Sequence, residues 1–189
     1  MANIILASSS PRRKQLLEQV GIAFESFSPE IDESVLEHET AESYVRRLAV
    51  AKASAVLARY PESIVIAADT SLSLEGQIIG KPESKQHAFA IWSALSGRRH
   101  QVLSGVCVAS QHGVKSTVVS TQVEFQHLSA DEMERYWQTG EPLGKAGAYA
   151  IQGFGAQFIP RIEGSYSNVV GLPLHETLQL LNSMMKHRS

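Results

Sequence analysis

Three cations, Arg12, Arg13 and Lys14, directly follow the run Ser8-Ser9-Ser10-Pro11. Pro11 suits the first position of a helix and Ser10 the cap before it, so the cations fall in a first helical turn. The positive end of a helix dipole favours acidic residues there, and three adjacent cations also repel one another. A bound anion would remove both conflicts, because free N–H groups, serine hydroxyls such as Ser8 and guanidinium forks converge on one spot. The alternative is a solvated basic face, since the dipole penalty is only about 0.3–1 kcal/mol per charge.

Two further residues break local rules. Val45, Leu48, Ala49, position 52 and Val56 follow the spacing of a buried helix face, and position 52 is Lys52. A lysine there either snorkels out or meets an anion, because an unpaired buried ammonium costs several kcal/mol. Asp69 follows the apolar run Ile64-Val65-Ile66-Ala67-Ala68 and is expected to end a strand. Ligand crevices of open α/β sheets lie at such carboxyl ends, and a hard cation such as Mg2+ prefers oxygen donors; the other reading is a turn aspartate before Thr70-Ser71. Glu30, Asp32 and Glu33 add acidic groups, of which at least two read as a solvated loop.

Other chemistries find no footing. The nucleotide-binding pattern G-x4-G-K-[ST] fails at Gly76 to Lys81 and at Gly140 to Lys145, each with too few intervening residues and no hydroxyl after the lysine. The histidines at 38, 87, 100, 112, 127, 175 and 187 lack zinc-site spacing. No G-x-S-x-G elbow is present, and Cys107, inside an apolar run, reads as core. Gly144 to Gly155 holds glycines dense enough for close backbone approach to a ligand, a weak signal by itself.

Alternating strands and helices must position these residues. Asn3 to Ala7 reads as a buried strand, followed by the helix from Pro11 that Gly21 stops, and Ala23 to Ser28 as a second strand. Thr40 caps a long helix to about Tyr60, and Ser63 to Ala68 is a strand covered on both faces. A hairpin over Leu72 to Ile79 turns at Glu75-Gly76, Ser84 to Leu95 is helical, and His100 to Ser110 pairs with Lys115 to Phe125. Ser129 and Glu132 form a capping box, a strand lies near Gln157 to Ile162, and a helix runs from Pro173 to about Lys186. The sum is a mixed α/β sheet in one domain, or two small lobes sharing a core.

The chain has 189 residues, 43% hydrophobic, and a net charge of -2, which argues against disorder and against a bulk nucleic-acid binder. The balance is uneven, for residues 15 to 45 carry eight acids and no lysine or arginine. One cysteine excludes an internal disulfide, and no apolar run reaches the ~18 residues of a membrane span. The expectation is a soluble, cytoplasmic protein without a membrane partner.

Taken together, Leu6 to Arg13, Pro29 to Glu33, Ala68-Asp69-Thr70, Gly80-Lys81-Pro82, Gly144 to Gly155, Gly164-Ser165-Tyr166 and Val170 to Pro173 resemble the Maf (septum-formation-inhibitor-like) family over essentially the whole chain. The resemblance implies a single Maf-type domain over residues 1–189, with two lobes around a cleft and a mixed twisted sheet flanked by helices, similar to the inosine triphosphatase (Maf/Ham1) fold. It implies a nucleoside triphosphate pyrophosphatase using a divalent metal, Mg2+ or Mn2+, and a homodimer. Asp69 matches the catalytic aspartate, with Glu33 the second candidate for base or metal ligand. Ser8, Arg12, Arg13, Lys52 and Lys81 match substrate-binding positions. Arg12, Thr70 and Gln152 match the positions that sort base specificity, in the manner of the dTTP/UTP branch. The planar amide of Gln152 suits the N3–H and O4 of uracil and thymine, but it would accept cytosine too unless something locks its orientation. The rival readings are a non-catalytic nucleotide-sensing regulator of cell division and a pyrophosphatase for other non-standard nucleotides, such as 7-methyl-GTP.

Overall fold

The computed structural model describes residues 3–186; His187 of the histidine set, with the other terminal residues, lies outside them. Strand β1 (Ile4–Leu6) runs into helix α1 (Pro11–Gln19), followed by the two-residue strand β2 (Glu25–Ser26) and the long helix α2 (Ala41–Arg59). Strands β3 (Ile64–Leu74) and β4 (Gln77–Ile79) form a hairpin that turns at Glu75 and Gly76, both with positive φ. Helix α3 (Lys85–Leu95), the long hairpin β5 (Arg99–Ser110) and β6 (Gly113–Glu124), and helix α4 (Ala130–Gln138) follow. After two 3-10 turns come β7 (Arg161–Glu163), α5 (Tyr166–Val170) and α6 (Leu174–Lys186).

The strands form one sheet in the order β2-β1-β3-β5-β6-β7, with β4 beside the far end of β3. β1 is parallel to β2 and β3, and the remaining pairs are antiparallel. The sequence puts a strand end at Asp69. Instead, β3 continues to Leu74, because the twelve-residue β5 offers it ladder partners along that whole length. Only the parallel pairing with β1 stops early, at Ile66. Asp69 therefore stands in mid-strand, just past the end of the short parallel neighbour.

Strand parity then decides where its side chain goes. Ile64, Ile66 and Ala68 join Leu16, Leu17, Leu181 and Met184 on the face covered by α1 and α6. Val65 and Ala67 join Ala49, Ala53, Val56 and Cys107 on the face covered by α2, and Asp69 has their parity. Across the ladder Asp69 faces Gly105. A Cβ on Gly105 would lie 2.2 Å from the carbonyl oxygen of Val45, so this glycine lets α2 press its backbone onto the sheet beside the aspartate. Farther up the strands a second core gathers Leu72, Trp92, Phe125, Tyr136, Tyr149 and Phe158 under α3 and α4.

Several local expectations change. Ser10 occupies the cap of α1, yet its side chain makes no capping bond; its backbone N–H donates to Ser8 Oγ instead. The expected Ala23 to Ser28 strand shrinks to two residues. Gln157 and Phe158 belong to a 3-10 turn, and the strand placed there begins only at Arg161. Thr40 caps α2 by accepting from Ser43 N, and the capping box of Ser129 and Glu132 is complete. Cys107 is buried, and burial pushes its thiol up to about 12, which suits core rather than nucleophile.

Candidate active site

A cleft of about 410 Å³ opens beyond the end of β1, and Ser8, Arg12, Arg13, Glu33, Lys52, Asp69, Thr70, Lys81 and Gln152 all line it. Six separate segments contribute these residues: the β1–α1 turn, the loop before α2, α2 itself, mid-β3, the loop after β4, and the glycine-rich loop.

At its floor, Lys52 lies on the buried stripe of α2 and does not snorkel out. Its Nζ lies 2.6 Å from Asp69 Oδ1 and 2.7 Å from Glu33 Oε1. The partner of the lysine is thus a carboxylate pair, where the sequence left an unspecified anion. Asp69 and Lys52 are both nearly enclosed, whereas Glu33 is half open to solvent. Partial burial alone would raise the Glu33 carboxyl, but the Lys52 hydrogen bond and charge, then Lys81 and Arg13, outweigh it and hold the group below its ordinary value. Of the three acids in this loop, Glu30 and Asp32 are exposed and outside the cleft lining.

Helix α2 also fixes the Glu33 loop by bonds the sequence reading missed. Tyr44 Oη donates to the Glu33 carbonyl at 2.9 Å, and Arg47 Nη2 donates to the Ser34 carbonyl at 2.9 Å. Arg47 is itself held by both oxygens of Glu39, at 2.6 and 2.7 Å. Tyr44 and Arg47 lie one turn apart, a spacing that could have marked a shared job for this helix face.

Arg13 does not point freely at a ligand. Nε donates to the Gly171 carbonyl at 2.8 Å, Nη1 to Ser8 Oγ at 3.3 Å and Nη2 to Thr70 Oγ1 at 3.1 Å. It ties the β1–α1 turn to β3 and to the turn after α5, while two of its five N–H groups remain for an anion. Burial pulls its guanidinium below its ordinary value, against the attraction of Asp69. Thr70 is engaged as well, 2.7 Å from Ser104 Oγ on the facing strand. Three first-turn cations therefore divide: Arg13 braces, Arg12 lines the cleft, and Lys14 lies outside the lining.

Lys145 is a lining residue that the sequence reading left without a role. Its Nζ is held by the Glu141 carbonyl at 2.5 Å, and burial, then the neighbouring Arg12, lower its affinity for a proton. The cleft thus gathers five cations, Arg12, Arg13, Lys52, Lys81 and Lys145, against two carboxylates, Glu33 and Asp69. Such an excess suits a compact polyanion.

The glycines also find their reasons. A Cβ on Gly153 would lie 1.9 Å from Glu141 Oε2, and one on Gly155 would lie 2.7 Å from Tyr136 Oη. In these two cases the close approach is to protein rather than to a ligand.

A mixed sheet with its cleft beside a short parallel pair, cations around the mouth and a lysine-bridged carboxylate pair on the floor define an α/β protein built to hold a phosphate chain. The chain belongs to the Maf family: the Maf-like protein model matches residues 3–184. It is 70% identical over 176 residues to the dTTP/UTP pyrophosphatase of Acinetobacter baylyi, covering 93% of this chain and 96% of that one. It is 50% identical over 186 residues to the dTTP/UTP pyrophosphatase of Vibrio vulnificus, covering 98% of this chain and all of that one (100%). Among solved structures, the Staphylococcus aureus Ham1 protein superposes with a TM-score of 0.57 at 15% identity, covering 99% of this chain and 100% of that one. A HAM1 protein from Coxiella burnetii gives 0.53 at 13% identity, covering 99% and 100%. These likenesses establish the mixed sheet flanked by helices as the Ham1/Maf-like fold.

Proposed function

We propose that this chain is a nucleoside triphosphate pyrophosphatase that converts dTTP and UTP to the nucleoside monophosphate and pyrophosphate, acting in the cytoplasm as a homodimer with one two-lobed domain per subunit. The observation that carries the reading is the carboxylate pair bridged by Lys52 within a cation-rich cleft. The curated relatives of like length supply the substrate names. Among the described residues no helix is long and apolar enough to cross a membrane.

The triphosphate lies against the β1–α1 turn, with Arg12, Lys81 and Lys145 neutralising it and Arg13 fixing the turn. Gln152 and Arg12 sit where the base is read, while Thr70, held by Arg13 and Ser104, shapes the wall between base and phosphates. A divalent cation fits this donor set. Among the described residues no cluster of three metal-ligating side chains occurs, but Mg2+ is commonly held by one or two carboxylates plus substrate phosphates. Asp69 and Glu33 would hold it, and when bound it supplies charge neutralisation at the phosphates and a more acidic water. Asp69 accepts the proton of the water that attacks the α-phosphorus, and pyrophosphate leaves with the bridging oxygen. Lys52 engages one oxygen of Asp69, which aims the carboxylate while the other oxygen receives the proton. Charge development on the phosphoryl oxygens is met by the fixed cations, the main contribution a protein makes to this reaction class.

The test is pyrophosphate release from a panel of nucleoside triphosphates with Mg2+ or Mn2+. UTP and dTTP should lead, and Asp69→Asn should lose at least a hundredfold in turnover while still binding nucleotide. Binding without release by the wild type would identify a sensor, and a lead by 7-methyl-GTP or another modified nucleotide would move the substrate class.

A further inference from the structure

Glu141 takes no part in the cleft lining, yet three parts of the cleft refer to it. Its Oε1 accepts from Gly155 N at 2.9 Å and from Tyr136 Oη at 2.6 Å, and its Oε2 accepts from Phe154 N at 2.7 Å. Tyr136 Oη in turn accepts from Ala150 N at 3.1 Å. The backbone is therefore gripped immediately before and after the stretch Ile151-Gln152-Gly153. Gln152 itself is exposed. Its position is set by where the two grips hold the chain. Gly153 must lack a side chain because the Glu141 carboxylate occupies that space, so the loop and the acid fit as a pair.

The same residue reaches the cations of the mouth. Its backbone carbonyl holds Lys145 Nζ, and its negative charge attracts Arg12 and Lys145. Glu141 is kept in place by Gly140, which has positive φ, and by its own N–H donating to Thr139 Oγ1 at 3.1 Å. α4 thus ends in a turn that presents one carboxylate to the glycine-rich loop.

We propose that Glu141 is a positioning residue for base selectivity: with Tyr136 it clamps the loop so that Gln152, together with Arg12, meets the base from a fixed height and angle. A fixed backbone leaves the Gln152 amide free to flip, so the clamp acts on reach: it sets the amide against the same base edge as Arg12, a donor-only group that suits the O4 acceptor of uracil and repels the N4 amine of cytosine. The proposal rests on reading Gln152 as a base contact, and the experiment separates the two.

Wild type, Glu141→Gln, Tyr136→Phe and Gln152→Ala are assayed for kcat and KM on UTP and CTP, with thermal melts of each. Glu141→Gln keeps the size of the side chain but replaces an acceptor oxygen by an amide nitrogen facing a backbone N–H, and it removes the charge. It should narrow the UTP-to-CTP ratio of kcat/KM by about tenfold, which is about 1.4 kcal/mol. The loss should fall more on KM for UTP than on kcat. Tyr136→Phe should narrow the ratio in the same direction, and it carries the test if Glu141→Gln does not fold. Gln152→Ala should abolish the preference. If Gln152→Ala abolishes it while both clamp variants keep the wild-type ratio, Glu141 is only a loop staple and the proposal is overturned with base reading intact. If Gln152→Ala leaves the ratio unchanged, the base-contact reading fails, and the clamp route fails with it.

Discussion

At the scale of single residues, Lys52 shows how a buried charge depends on its partners. Sequence spacing puts it on a buried stripe, and from that alone replacement by methionine would be neutral or stabilising for the nucleotide-free fold. Its bonds to Asp69 and Glu33 reverse the expectation. Removing one partner of a buried ion pair leaves the other charged and unpaired, at a cost of about 3–5 kcal/mol, whereas an apolar replacement of both partners can be neutral. The Asp69 carboxylate has no other hydrogen-bond partner among the described residues, so it bears that cost, reduced by water reaching it through the cleft. Lys52→Met should lower unfolding stability by about 2–3 kcal/mol, and adding Asp69→Asn should restore much of it. Urea denaturation of the two variants checks this; a Lys52→Met protein as stable as wild type would mean that the carboxylates do not depend on the lysine.

At the scale of elements, the parts legible in the sequence were those with local causes. The caps of α2 and α4 and the turn at Glu75-Gly76 follow from side chains within a few residues of each other. The site residues were legible as broken rules, a lysine on an apolar stripe and cations at a helix start. The extension of β3 through Asp69 was not, because Asp-Thr-Ser resembles a turn and only the remote β5 supplies its ladder. Nor were the Glu141 grips or the Tyr44 and Arg47 bonds, each of which depends on two segments meeting in space. His100 is another such case. It opens onto neither solvent nor cleft; on β5 it lies 2.7 Å from Tyr149 Oη and edge-on to Phe125, with Nδ1 unpartnered. Burial lowers its pKa from 6.5 to about 4. Between those values the unfolded chain binds a proton that the folded one refuses, so stability falls as pH drops from about 6.5 and the loss is complete below about 4. The loss is about 3 kcal/mol at most. His100→Gln, which keeps a polar partner for Tyr149 but cannot titrate, should flatten this part of the stability curve; the same slope in both proteins would assign the acid sensitivity elsewhere.

At the scale of the whole molecule, a net charge of -2 conceals a strongly cationic cleft. The acids of residues 15 to 45 lie mostly outside it, and only Glu33 of that set reaches the lining. The segments that carry the cations come from different core clusters. Arg12 and Arg13 leave the parallel end of the sheet where α1 and α6 pack, while Lys145 precedes Ala148 and Tyr149 of the second core under α3 and α4. A polyanion spanning the cleft therefore bonds both regions together and relieves the mutual repulsion of five cations. Both effects favour the folded state, by an amount that mass action sets. At a hundredfold excess over Kd a ligand adds about 2.7 kcal/mol, which for a chain of this size is a rise in Tm of roughly 5–10 °C. The non-hydrolysable α,β-imido analogue of UTP should give such a rise without turnover. Much of it should vanish at high salt, since the screening length falls from about 10 Å at 0.1 M to about 3 Å at 1 M. Uridine, which lacks the phosphates, should give little shift at either salt. A rise that uridine matches, or one that salt leaves untouched, would mean that the cations do not hold the ligand and that the cleft binds by the base alone.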